Sequence, residues 1–269
     1  MPYTAIAYET REDIGLITLN RPDQRNALDM DMREDLAAVV ADIRKTGGLK
    51  ALIITGAGGA FCAGGDLKAL TETKRPTTAN RERIRRLHIW FHDLVNLELP
   101  VIAAVDGPAF GAGFNLALAA DFILCTPRAR FCSVFGRIGL VPDLGGFFLL
   151  PRLVGLQRAK EIVFSSRTIA PDEARALGIV HAIHPPESLL DAAFALAGRF
   201  RLASTDAIGM AKNILNQSFN LDQRALAELE AHAQAVCMES EYHRDAVQRF
   251  LDKKPLQFDW DRLDKEAKS

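Results

Sequence analysis

Apolar positions along this 269-residue chain recur with two different periods, and the alternation between them predicts a mixed α/β fold. Short apolar runs over residues 6–8 and 14–19 flank a polar turn at 10–13, which predicts two strands. A polar loop, RPDQRNALD, follows Asn20, and then the period lengthens to that of a helix. Met32, Leu36, Val39, Val40 and Ile43 share one face of it, Asp29 suits the N-cap, Asp31 the first turn, and Gly47 with Gly48 the stop. Residues 52–55 read as a buried-type strand that runs into a loop dense in glycine and alanine. The stretch 71–80 is polar and aperiodic and reads as a surface loop. After it, Ile84, Leu87, Phe91, Leu94 and Val95 form the apolar face of a second helix.

The stretch VIAAVDGPAFGAGFNLALAAD, residues 101–121, is the one around which the rest is organised. Its first five residues, between Pro100 and Gly107, predict a buried strand, and the run 114–120 predicts a buried helix starting near Gly111. Glycines in such a turn let the backbone approach a ligand, and the helix start offers unpaired N–H groups with a positive dipole end. That arrangement suits a developing oxyanion. A close-packed strand-to-helix crossover with no ligand fits the same residues.

Downstream, residues 122–124 and 129–132 predict short strands, and SVFGRIGLVPDLGGFFLLPRLVG follows with a single carboxylate, Asp143. Two readings of Asp143 stand at this point: the cap of a short helix beginning at Leu144, or a functional group. Its neighbours Leu140, Val141, Leu144 and Phe147 are apolar, so burial is expected to raise its pKa. Helices are expected over 158–164 and 172–177, the second opened by Pro171 and closed by Gly178, with a strand over 179–184. From residue 188 the pattern is helical: 189–201, 205–216, 221–240 and 244–251. Phe110, Phe114, Phe135, Phe147 and Phe148 are expected mainly to pack in an apolar core.

Composition narrows the function classes. Thirty-three basic residues balance 34 acidic ones, so no overall charge draws the chain to nucleic acid or to a membrane surface. No apolar run reaches membrane-spanning length, and the N-terminus lacks a signal-peptide layout. The four cysteines show no CxxC pair or framework spacing, which fits free thiols and a cytoplasmic location. GAGGAF after a strand invites a dinucleotide-binding reading, but GxGxxG fails at its last glycine and no helix opens after the turn. His88 and His92 have metal-ligand spacing but no acidic or cysteine partner at a matching position, so no metal site is expected. No GxSxG or Walker lysine loop occurs.

Taken together, RPDQRNAL, IITGAGGAFCAGGDLK, AAVDGPAFGAGFNLALAAD and RIGLVPDLGG…LPRLVG resemble the crotonase family, also called enoyl-CoA hydratase/isomerase. Order and spacing agree from about Tyr3 to Phe258. The resemblance implies a superhelix of strand–strand–helix turns over residues 1–187, carrying an acyl-CoA site. A helical C-terminal region, 188–269, would then serve trimerisation, giving a homotrimer or a hexamer built as a dimer of trimers. It implies an acyl-CoA thioester as substrate, with no metal and no cofactor beyond the CoA that is part of that substrate. The backbone N–H groups at the matching positions Gly65 and Ala112 would bind the thioester oxygen. CoA would run along Arg25, Ala27 and Leu28, with Ala63, Asp66 and Leu67 lining the adenine pocket and Arg25 and Lys68 facing phosphates. Asp66 would order its loop, and Asp106 and Asp121 would be structural.

This sequence departs from the family's hydratases where they carry two catalytic glutamates: the matching positions hold Asn115 and Phe135. Neither side chain exchanges a proton at neutral pH, so water addition lacks its acid–base pair. Asp143 instead stands in VPDLGG, where several family isomerases carry their acid–base carboxylate, notably the ring-forming isomerases of phenylacetyl-CoA breakdown. The expectation is therefore double-bond or ring isomerisation through an enolate. A hydratase with atypical residues and a non-catalytic acyl-CoA-binding homologue are the competing readings.

Overall fold

The computed structural model describes residues 3–66 and 76–266. Strands β1 (Ile6–Arg11) and β2 (Ile14–Leu19) form an antiparallel hairpin, after which every pairing in the main sheet is parallel. That sheet has the order β1-β2-β3-β4-β6-β9, with β3 at Ala51–Gly56, β4 at Val101–Val105, β6 at Phe122–Cys125 and β9 at Ala182–Ile183. A second sheet joins β5 (Pro108–Phe110), β7 (Arg130–Cys132) and β8 (Thr168–Ile169) in the order β5-β7-β8. Consecutive strands therefore go to different sheets: β4 to the first and β5 to the second, then β6 to the first and β7 to the second. The isolated bridge between Cys62 and Ala109 extends the smaller sheet one turn back, below β3. The chain thus winds as the expected superhelix of strand–strand–helix turns, with the N-terminal hairpin at one end.

Both faces of the main sheet are covered, which is why its strands read as unbroken apolar runs. Leu52, Ile54, Val101, Ala103 and Val105 enter the larger core, with the apolar faces of α1 (Met30–Thr46) and α2 (Thr77–Val95). Ile53, Ile102 and Ala104 point the other way, onto α7 (Leu189–Arg199) through Leu189, Ala193 and Leu196. The α1 stripe is as expected, with Met32, Leu36, Val39, Val40 and Ile43 all buried, and the Asp29 carboxylate caps the helix by accepting from the Met32 N–H at 2.9 Å. On α2, Trp90 joins the buried face that periodicity assigned to Leu87, Phe91, Leu94 and Val95. The helix already begins at Thr77, inside the stretch read as a surface loop; residues 71–75 of that stretch lie outside the described residues.

The helical C-terminal region begins where expected, but its first helix is an inner layer of the fold. Leu190 and Phe194 pack against the second core because α7 lies flat on the sheet. Helices α8 (Thr205–Gln217), α9 (Gln223–Met238) and α10 (Glu241–Leu251) follow, and α11 (Trp260–Glu266) was not foreseen. Trp260 anchors that end by packing on Phe200, which in turn packs on Phe122. The strand expected over 179–184 shrinks to Ala182–Ile183.

Asp106 and Asp121 are structural, as anticipated. Asp106 accepts from the Thr126 hydroxyl at 2.7 Å and pairs with Arg128. Asp121 accepts from the Val101 N–H and from Lys212, both at 2.7 Å, tying α8 to the start of β4.

Candidate active site

Two loops that follow adjacent strands build one wall of the site. In RNAL, Arg25 and Asn26 both adopt positive φ, 49° and 56°. The buried Asn26 side chain holds that shape by donating to the Ala57 and Ala60 carbonyls at 2.9 and 2.7 Å and accepting from the Arg21 N–H. The loop then ties to the next one: the Ala63 N–H donates to the Arg25 carbonyl, and the Leu28 N–H to the Gly64 carbonyl at 2.7 Å. Arg25, Ala27 and Leu28 are in this way set against Ala63, Gly65 and Asp66.

The turn after β5 closes on the same loop. The Phe110 N–H donates to the Cys62 carbonyl and the Gly111 N–H to the Cys132 carbonyl. Gly64 must be glycine here: its φ is +98°, and a Cβ would stand 2.7 Å from the Phe110 carbonyl oxygen and 3.7 Å from the Ala112 nitrogen. Gly65 and Ala112 are therefore neighbours across the crossing, and Ala112 is the first residue of helix α3 (Ala112–Leu118). Among the described residues, neither the Gly65 nor the Ala112 N–H is taken by a backbone carbonyl.

These groups open on a cavity of about 1590 Å³. Its wall includes Arg25, Ala27, Leu28, Ala63, Gly65, Asp66, Ala112, Phe135 and Asp143, which sequence reasoning had singled out. Leu67 and Lys68 lie outside the described residues. Asn115 does not line the cavity; it is buried behind the wall, where its amide donates to the Asp143 backbone carbonyl at 2.8 Å. It thus fixes the loop that carries Asp143. Phe110, Phe135, Phe147 and Phe148 face the cavity, Phe135 while itself buried, and only Phe114 of the five stands away from it, because the α3 face that carries Phe114 points at Phe131.

Asp143 is not a helix cap. Leu144 and Gly145 take positive φ after it, the helix α4 (Gly146–Val154) starts only at Gly146, and no side chain caps it. The Asp143 side chain points into the cavity wall with its Oδ1 buried and without a hydrogen-bond partner. Burial raises its pKa, as expected; the charges of Arg33, His88 and Arg83 oppose that shift. The burial does not come from its sequence neighbours, since Leu140, Val141 and Phe147 are exposed. Of the four apolar neighbours, only Leu144 is buried, and the charges that act on Asp143 come from α1 and α2.

Those two helices supply what sequence reasoning missed: Arg33, Arg83 and His88 all line the cavity. Arg33 sits beside Met32 at the border of the α1 stripe, and His88 beside Leu87 on α2. Each helix stripe is flanked by a residue that leans over the site, a position that periodicity alone gives to solvent. Burial and the charge of Arg83 lower the pKa of Arg33, against the opposite pull of Asp143 and Asp66. Beneath the loop, burial pushes the Cys62 thiol up to about 12, which makes it a packing residue and not a nucleophile.

Comparison with known proteins agrees with this geometry. The family model described as enoyl-CoA hydratase/isomerase matches residues 9–261. A solved enoyl-CoA hydratase/isomerase from Cupriavidus metallidurans is 39% identical and superposes with a TM-score of 0.91 over 96% of this chain and 97% of that one. A relative from Rhodobacter capsulatus named "Probable enoyl-CoA hydratase" is 36% identical over 96% of this chain and 99% of its own length. The 1,2-epoxyphenylacetyl-CoA isomerase of Escherichia coli is 32% identical over 94% of this chain and 97% of its own. With the fold, the crossed glycine loops and near full-length relatives in agreement, the chain belongs to the enoyl-CoA hydratase/isomerase family.

Proposed function

We propose that this protein is an enoyl-CoA isomerase that moves a double bond, or rearranges an unsaturated ring, through an enolate held at Gly65 and Ala112. The observation that carries the reading is Asp143: a partly buried carboxyl on the cavity wall with an unpartnered Oδ1 and a raised pKa. A group that must accept a proton and return it works best with a pKa above the ordinary carboxylate range. In the proposed reaction Asp143 takes a proton from carbon, the C–H electrons pass into the enolate, and the same proton returns to a different carbon. The two unengaged N–H groups bear the oxygen's developing charge, one of them helped by the α3 dipole. CoA lies along Arg25, Ala27 and Leu28 with its adenine end towards Ala63 and Asp66. The reaction uses no metal and no cofactor apart from the CoA within the substrate.

Hydration is the second reading, favoured by relatives that carry hydratase names. Against it stand Asn115, occupied with the Asp143 carbonyl, and Phe135, which has nothing to exchange a proton with. General acid–base catalysis supplies about 10²–10⁴ in rate per group, so hydration of short 2-enoyl thioesters should be weak. A panel of 3-enoyl-, 2-enoyl- and aryl-acetyl-derived CoA thioesters tests the pair. The isomerase reading expects shifted conjugation without added water. Efficient turnover of crotonyl-CoA with water at C3 would establish the hydratase, and binding with no reaction on any of them would leave an acyl-CoA-binding homologue.

A further inference from the structure

The described residues hold several arginines in tight ion pairs, including Arg44 with Asp93 and Arg167 with Glu161 and Glu173. Arg33 and Arg83 are different. Both line the cavity, each keeps a buried Nε without an acceptor, and among the described residues neither has a carboxylate within ion-pair distance. They reach the site from α1 and α2, which pack on each other, and the Arg83 charge is near enough to disfavour that of Arg33. The wall they share carries apolar Leu28, Ile84, Leu87 and Phe91 beside polar His88 and Asp66. Asp143 is the acid opposite them, but it lies beyond contact with either and is itself held towards its neutral form by burial.

Both side chains are half-buried, and an N–H removed from water without an acceptor is costly. A purely aliphatic acyl group would leave both Nε–H groups unpaired. A hydroxyl or ketone oxygen would satisfy one N–H and no charge. A carboxylate has two acceptor oxygens and one negative charge, which matches two guanidinium forks approaching from neighbouring helices.

We propose that Arg33 and Arg83 form a subsite for a carboxylate carried by the acyl group, so that the preferred substrates are CoA monothioesters of dicarboxylic acids. This rests on the acyl-CoA reading of the cavity given above and narrows its substrate class. The role assigned to the pair is specificity: it holds the carboxylate of the acyl group, with Arg33 within reach of Gly65, while Asp143 and the two amides act on the end next to sulfur.

Calorimetric titration of the intact protein with matched thioesters tests this without turnover. The pairs are succinyl- against butyryl-CoA, glutaryl- against pentanoyl-CoA and adipyl- against hexanoyl-CoA, with CoA alone and phenylacetyl-CoA as references. In at least one pair the carboxylated thioester should bind about tenfold tighter or more, the scale of a charged hydrogen bond. Arg33→Met and Arg83→Met should each shrink that ratio, which is the readout whatever happens to absolute affinity. The proposal is overturned if no pair discriminates, if phenylacetyl-CoA binds tighter than every carboxylated thioester, or if both variants keep the wild-type ratio. Binding by none of the thioesters nor by CoA would bring down the acyl-CoA reading itself, whereas equal binding within each pair removes only the subsite.

Discussion

At the scale of single residues, Asp143, the proposed proton-transfer group, also bears on stability. Burial raises its pKa in the folded protein, so above that pKa the native state holds a carboxylate less comfortably than the unfolded chain does. Asp143→Asn removes that penalty, and the variant should melt at a higher temperature than wild type at neutral pH. The gain should fade as pH falls through the folded-state pKa, because the wild-type carboxyl is then protonated as well. Isomerase turnover should drop by about 10²–10⁴ in the same variant, with thioester binding retained. Thermal melts across pH, beside steady-state assays, check both halves, and near wild-type turnover in Asp143→Asn would move the chemistry elsewhere. The pH profile offers a related check. The acid limb of kcat/KM should follow Asp143, and Arg33→Met should move it to higher pH, since the Arg33 charge favours the ionised carboxylate. An unmoved limb would separate Arg33 from the proton-transfer group.

At the scale of elements, the crossing of the 63–66 loop with the start of α3 is what aims the two amides. Side-chain substitutions leave a backbone N–H in place, but proline removes one. Ala112 is the first residue of α3, a position where proline is well tolerated and where no intrahelical hydrogen bond is lost. Gly111 precedes it and has no Cβ to clash with the proline ring. Ala112→Pro should therefore keep the helix content seen by circular dichroism while kcat falls by about 10²–10³, the usual cost of one oxyanion donor. Full activity in a folded Ala112→Pro protein would rule that amide out. The second element-scale device is the Asn115–Asp143 link. Gly146 sits so close that an added Cβ would lie 2.6 Å from the Asn115 amide nitrogen. Gly146→Ala should push Asn115 off the Asp143 carbonyl and lower kcat with little change in CoA binding.

At the scale of the whole molecule, the exposed apolar surface on and beyond α4 asks for a partner. Phe164 is 78% exposed and Phe219 75%, with Phe147, Leu156, Leu215 and Phe250 also at the surface. A lone protein does not leave so many large apolar side chains in water without use, so we expect a trimer, single or paired into a hexamer. Sedimentation equilibrium should give three or six times the chain mass, and a stable monomer at micromolar concentration would refute it. Among the described residues no helix is long and apolar enough to cross a membrane.

How much of this was legible in the chain follows from the range of the forces involved. Periodicity found α1 residue by residue, the Asp29 cap, the strands of the main sheet and β7 of the second, because those signals are local: a helix stripe or a strand run is written in neighbouring positions. Strands β5 and β8, two or three residues long, carry too short a run to be read. Motif order carried the family and most of the cavity wall, since Gly65, Ala112 and Asp143 lie in contiguous, glycine-marked loops. The sequence by itself could not decide between base and cap for Asp143, because that depends on where the next helix starts, and positive φ at Leu144 and Gly145 delays it to Gly146. Nor could it find Arg33 and Arg83, which look solvated on their own helices. Only the stacking of α1 and α2 over the loops brings them to the cavity, where distance in space, and not along the chain, sets the electrostatics.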